Sequence, residues 1–234
     1  MLEKTYSKIV NCLFVLLVFA AAGVGQNESL RLVVNVGHLK NITGAAFSPD
    51  GNFYATVDEF EVILWETATR RELRSFPVVD DGASVSFSAD GTLIAAEADK
   101  GVLVWETKTG KIVQFLKINS KPVFGASGKF LAAVNRGDIK LYDAKTFEPR
   151  ATFAAADETS AERIVLSADE KTLASVHENT IKIWNLETRA EQQITLKHQT
   201  GGITSLAFSP NGKTLASTGT DSTLRFWEIG RAHV

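Results

Sequence analysis

Cysteine is almost missing from this chain: of 234 residues, only Cys12 is one. It lies inside an N-terminal apolar segment, so a mature protein without that segment can form no disulfide and must hold its fold by packing alone. Charge of one sign is missing too. The formal charge is −2, and Lys, Arg, Asp and Glu are scattered along the sequence. That excludes the basic stripe of a nucleic-acid binder and the like-charge run of a solvated tail. No cluster of His, Cys or carboxylates has metal-ligand spacing, and no G-x-S-x-G elbow is present. Neither a cofactor nor a metal is therefore expected. Long hydrophobic runs are lacking as well. The longest, Cys12 to Val24, is 13 residues, short of the roughly 20 that span a bilayer.

What is present begins with that same N-terminus. Lys4 and Lys8 precede the apolar run, and the small residues Ala20, Ala22, Gly23 and Gly25 follow or close it. Basic flank, short apolar core and small residues are the parts of a secretory signal peptide. Residues 1–26 are read as one, with cleavage between Ala22 and Asn27, so the protein is expected to be secreted or periplasmic, with no membrane insertion of the mature chain. An uncleaved N-terminal membrane anchor is the alternative.

The rest is repetitive. All four tryptophans sit in equivalent strands, "VILWET" at Trp65, "VLVWET" at Trp105, "IKIWNL" at Trp184 and "LRFWEI" at Trp227, and "IKLYDA" puts Tyr142 in the same place. The intervals are 40, 37, 42 and 43 residues. Ahead of each aromatic by 18 or 19 residues stands a second landmark: "AFSPDG", "SFSADG", "VFGASG", "VLSADE" and "AFSPNG". Between them run "FYAT", "LIAA", "FLAA", "TLAS" and "TLAS". Apolar runs of four to six residues bounded by turn residues predict strands, not helices. Asp50-Gly51, Asp90-Gly91, Ser127-Gly128 and Asn211-Gly212 predict tight hairpins. Asp169-Glu170 breaks that pattern and predicts a different or more strained turn.

Four strands in each period of about 40 residues make one blade of a β-propeller. The fold class is all-β, built of four-stranded antiparallel blades. Five are visible, at about 31–70, 71–110, 111–147, 148–189 and 190–228, within a propeller domain of residues 27–228. The copy "HQTGGITSLAFSPNGKTLASTGTDSTLRFWE" closely resembles the WD-repeat family, departing at Glu228, where the family usually has aspartate. The resemblance implies a ring of about seven blades, of which five would be an incomplete part. Residues 229–234 resemble one reading frame of a sequencing adapter and are read as a non-native tail.

The resemblance also implies a hydrogen-bonded network in each blade. By position it assigns His198, Ser217, Asp221 and Trp227 in the last blade, and His38, Thr56, Glu59 and Trp65 in the first. The residue types match a Ser–His–Asp triad, but recurrence beside a tryptophan N–H makes the role structural. Blade four keeps Ser175 and Trp184 without a matching histidine, and His177 reads as a solvated turn residue. The expected function is a non-catalytic scaffold for protein partners, not for nucleic acid. The candidate partner-facing loops carry Leu39, Lys40, Asn41, Asp80, Asp81, Asn119, Asp157, Glu158 and Gln199. The alternative is the propeller of a larger exported enzyme, such as a hydrolase, with its catalytic part elsewhere.

Overall fold

The computed structural model describes residues 37–38, 40–78, 84–98, 101–118, 121–135, 137–154, 161–197 and 202–229. The proposed signal peptide, the strand-like segment Leu30–Val36, His198, residues 230–234 and seven loop candidates (Leu39, Asp80, Asp81, Asn119, Asp157, Glu158 and Gln199) lie outside them.

The described residues form nineteen strands and no helix, hence none long and apolar enough to cross a membrane. Blade one comprises β1 (Gly44–Phe47), β2 (Phe53–Val57), β3 (Glu61–Glu66) and β4 (Glu72–Pro77). Blade two comprises β5 (Val85–Phe87), β6 (Leu93–Ala98), β7 (Gly101–Glu106) and β8 (Ile112–Leu116). Blade three comprises β9 (Val123–Phe124), β10 (Phe130–Asn135), β11 (Asp138–Asp143) and β12 (Pro149–Phe153). Blade four comprises β13 (Arg163–Leu166), β14 (Thr172–His177), β15 (Thr180–Asn185) and β16 (Ala190–Lys197). Blade five comprises β17 (Ile203–Phe208), β18 (Thr214–Gly219) and β19 (Leu224–Glu228). Each sheet is an antiparallel meander in chain order. The first strands of successive blades lie side by side, so the described residues form a β-propeller of five blades.

Its core lies between the blades. Phe76, Val62 and Leu64 of blade one pack with Trp105 of blade two, and the same seam recurs with Tyr142, Trp184 and Trp227. Each aromatic thus fills the slot behind the preceding blade. Because β-strands alternate faces, a continuous apolar strand such as β7 serves two neighbours at once. Val102 and Val104 are fully buried, whereas Leu224 and Phe226, at the matching positions of blade five, are 57% and 69% exposed. Phe47 is 52% exposed where Phe87 and Phe124 are each 7% exposed. Ile229 keeps the repeat's register: its N–H donates to Lys213 O at 2.8 Å, as Leu186 N–H does to Lys171 O.

The first hairpin of each blade shows why the landmark reads Ser-x-Asp-Gly. Ser48, Ser88 and Ser167 donate their hydroxyls to Asp50, Asp90 and Asp169 at 2.6–2.7 Å. The same hydroxyls accept backbone N–H groups five residues on. The serine hydrogen bond is the first cause that holds all three carboxyls below the usual range. A depressed folded value means the unfolded chain binds the extra protons. The stability is therefore present above the unfolded value of 3.8 and is lost as pH falls through the lowered ones. We expect the urea midpoint to be flat near neutral pH and to drop below about pH 4. A triple Asp50→Asn, Asp90→Asn, Asp169→Asn variant, copying Asn211 of blade five, should flatten that acid limb. An unchanged limb would assign acid sensitivity elsewhere.

Candidate functional site

Two places concentrate polar chemistry: the tryptophan network inside the blades, and a groove on the hairpin end of the propeller.

In blade one the network is a string. Trp65 Nε1 donates to Thr56 Oγ1 at 2.7 Å, Thr56 meets His38 Nε2 at 2.6 Å, and His38 Nδ1 meets Asp58 Oδ2 at 3.0 Å. An indole can only donate and a carboxylate can only accept. The Trp65 N–H therefore donates into the string at one end and the Asp58 carboxylate closes it at the other, with His38 bridging the two through its Thr56 hydrogen bond and its ion-pair contact with Asp58. Burial works to raise the Asp58 carboxyl, but the N–H groups of Phe60 and Glu61, with His38, outweigh it and hold it below the usual range. Gly37 lies flat against the indole: a Cβ there would stand 2.3 Å from the Trp65 ring.

The carboxylate in this string corrects the sequence expectation, which gave the place to Glu59. In blade five Asp221 follows Ser217 by four residues, whereas β2 ends at Val57 and β3 starts at Glu61. The shorter turn brings the acid round two residues after Thr56.

Blade four holds a second correction. His177 is not solvated; it is 2% exposed. Its Nε2 lies 2.8 Å from Ser175 Oγ, which accepts Trp184 Nε1–H at 2.7 Å. The imidazole and indole centroids are 6.5 Å apart at 45°, against 6.5 Å and 50° for His38 and Trp65. One geometry is reached twice, once by a histidine from the loop before β1 and once by a histidine on β14 itself. Replacing His177 with Ala should cost about 2–3 kcal/mol, from the lost imidazole packing and the Ser175 hydrogen bond. Thermal or urea unfolding checks this, and a variant as stable as the parent would return His177 to a surface role.

In blade five Trp227 Nε1 donates to Ser217 Oγ at 2.9 Å, while Asp221 accepts the N–H and the hydroxyl of Thr223 and faces Arg225 at 3.3 Å. In blades two and three Ala96 and Ala133 pair opposite the strand at the hydroxyl position. Trp105 and Tyr142 there are held by apolar packing, and burial raises the Tyr142 hydroxyl.

His38, Asp58 and Glu61 bring ligand atoms within 4.8 Å of one another, which is metal-site spacing. Those atoms are already committed. His38 serves Thr56 and Asp58, Asp58 accepts two backbone N–H groups, and Glu61 accepts the Ser75 hydroxyl at 2.6 Å. The set is a staple.

The groove, of about 1200 Å³, runs over blade three between the turns of blades two and four. Lys129, Lys145, Arg150 and Arg189 line it with Asp90 and Asp143. Asp143 meets Arg150 at 2.8 Å and accepts the N–H groups of Lys145 and Thr146, with Arg150 the main cause that pulls its carboxyl far below the usual range. This is the end opposite the loops favoured from sequence, because first hairpins and blade-entry loops lie at opposite ends of a meander. Of those loop candidates, Lys40 and Asn41 are described; both are exposed, and Lys40 Nζ sits 5.6 Å from the centre of the Phe60 ring.

The family model described as WD domain, G-beta repeat matches residues 30–66 and 190–228. A coronin-like protein of Saccharomyces cerevisiae is 40% identical over 62 residues, which are 26% of this chain and 9% of that protein. Among solved structures, U3-55K superposes with a TM-score of 0.73 at 15% identity, over 84% of this chain and 63% of its own. Hydrazine synthase of Kuenenia stuttgartiensis superposes at 0.69 and 15%, over 80% and 59%. The matched region spans less than two thirds of each of these proteins, and at 15% identity the structural likeness is one of fold alone.

Proposed function

The chain belongs to the WD-repeat family, and on that premise we propose that it is an exported, non-catalytic scaffold that binds other proteins. WD-repeat propellers generally work as protein-interaction scaffolds. One observation on this chain carries the reading. The Ser, Thr, His and Asp side chains that could assemble a nucleophile are spent on indole N–H groups within blades one and four. A nucleophile needs a base free to take its proton and an open space for the reacting atom. Ser175 is 0% exposed and Thr56 9%. What remains outside is a rigid frame with turns and loops at its two ends, the arrangement in which recognition resides on loops.

The export half rests on the basic-apolar-small N-terminus. Mass spectrometry of the protein from the secreted or envelope fraction tests it: the first residue is expected between 22 and 27 of the precursor. Full-length chain starting at Met1 in the cytosol would overturn it. The scaffold half predicts a stoichiometric protein partner that rebinds after both proteins are purified. Substrate turnover by the purified chain alone would overturn that half.

A further inference from the structure

We infer that the groove over blade three takes an extended acidic segment of a protein partner, one that alternates carboxylates with apolar side chains. This rests on the scaffold reading and deepens it. Four cations face two carboxylates in the groove, in a chain whose net charge is −2. Both carboxylates are spent internally: Asp143 on Arg150 and two backbone N–H groups, Asp90 on Ser88 and Thr92. Lys129, Lys145 and Arg189 are exposed and have no salt bridge among the described residues. Three cations are thus left for a ligand.

Two of the three sit on turns whose backbone is held. Lys145 sits in a turn whose N–H groups are held by Asp143, and Arg189 in one held by Asn185, with Arg189 itself at φ 60°. A turn fixed before binding adds no backbone ordering cost, so binding has only the long side chains to order. Between them the floor includes the half-buried Leu93 and Phe130, with Ser88, Thr92 and Ser127 beside them. A strand-like segment turns alternate side chains to opposite faces, so its carboxylates meet the cations while its apolar side chains cover this floor. The groove exceeds the roughly 300–1,000 Å³ of small-molecule pockets. A nucleic acid fits less well. Asp90 and Asp143 would repel a continuous phosphate backbone, and no exposed aromatic lines the groove to stack a base.

The test is fluorescence anisotropy on the intact chain with three labelled probes: a short peptide alternating Glu and Val, its Lys-for-Glu counterpart, and an oligo-dT of equal length. The acidic peptide should bind, the basic one should not, and binding should fade in about 0.5 M salt. The triple variant Lys129→Glu, Lys145→Glu, Arg189→Glu should weaken it at least about tenfold, with near-UV circular dichroism unchanged. Lys117→Glu, an exposed position just past β8 at the other end, should leave it unaltered. Equal binding of both peptides, tighter binding of oligo-dT, or indifference to the triple variant would overturn the proposal. If a purified partner still binds that triple variant with full affinity, the groove proposal fails while the scaffold reading stands. Catalytic turnover without any partner removes the scaffold reading, whatever the groove does.

Discussion

Trp105→Ala is expected to cost this protein about 3–5 kcal/mol, enough to unfold a domain of ordinary stability. Trp105 is 1% exposed and fills the seam between blades one and two, its ring 5.5 Å from Phe76 at 50°. Removing it takes away the largest buried side chain of that seam and opens a void that the sheets close only partly. The apolar contact between neighbouring blades is concentrated in such seams, so the loss should be local before it is global, as in other repeat proteins. Amide exchange should show protection falling first in blades one and two. The control is Phe226→Ala. That ring is 69% exposed, although it lies in the strand equivalent to β7, and its loss should cost below about 1 kcal/mol. Urea midpoints of the two variants measure both. A cost for Trp105→Ala no larger than that for Phe226→Ala would mean that the seams are not the core.

The contrast marks what a repeat conveys and what it conceals. The period of "ILWET"-like strands announces the blade, and every aromatic lands in the corresponding strand of its sheet. Local patterning suffices there because a blade is built from neighbours in sequence. The network was half legible. Ser175 and Trp184 follow from the repeat, but the repeat's own histidine position is in the loop before the first strand. The signal for His177 was still present. It lies two residues after Ser175 on one strand, and therefore on the same face. Asp58 was missed because a repeat fixes strand positions and not turn lengths. The groove could not have been read at all. Its cations lie far apart in sequence, three at one end of blade three and Arg189 on a turn of blade four, and only the packing of strands and blades brings them to one place.

Two departures from the repeat that looked unrelated are expected to prove one feature, by a double-mutant cycle. The hairpin serine is Gly125 in blade three, and the hairpin glycine is Glu170 in blade four. Glu170 keeps the turn of its fellows: its N–H donates to Ser167 O at 2.9 Å, as Gly51 N–H does to Ser48 O. It does so at φ 52°, in the region where a Cβ is penalised. The compensation comes from next door. Glu170 is 3% exposed, and its Oε1 accepts Ser127 N–H of blade three at 2.6 Å. A Cβ on residue 125 would stand 2.2 Å from that oxygen, so the carboxylate reaches Ser127 only because Gly125 has no side chain.

Gly125→Ser alone should cost about 1–3 kcal/mol, because it expels a buried carboxylate from its hydrogen bond. Glu170→Gly alone should be nearly neutral. It loses that bond but relieves a strained turn and an Oε2 that is buried without a partner. The double variant restores the serine and the glycine that the other blades carry, and should recover most of the single-mutant loss. The coupling, read from the urea midpoints of the four proteins, should therefore be about 1–3 kcal/mol in favour of the pair. Additive costs would mean that blades three and four departed from the repeat independently, and that the fit between Glu170 and Gly125 contributes nothing.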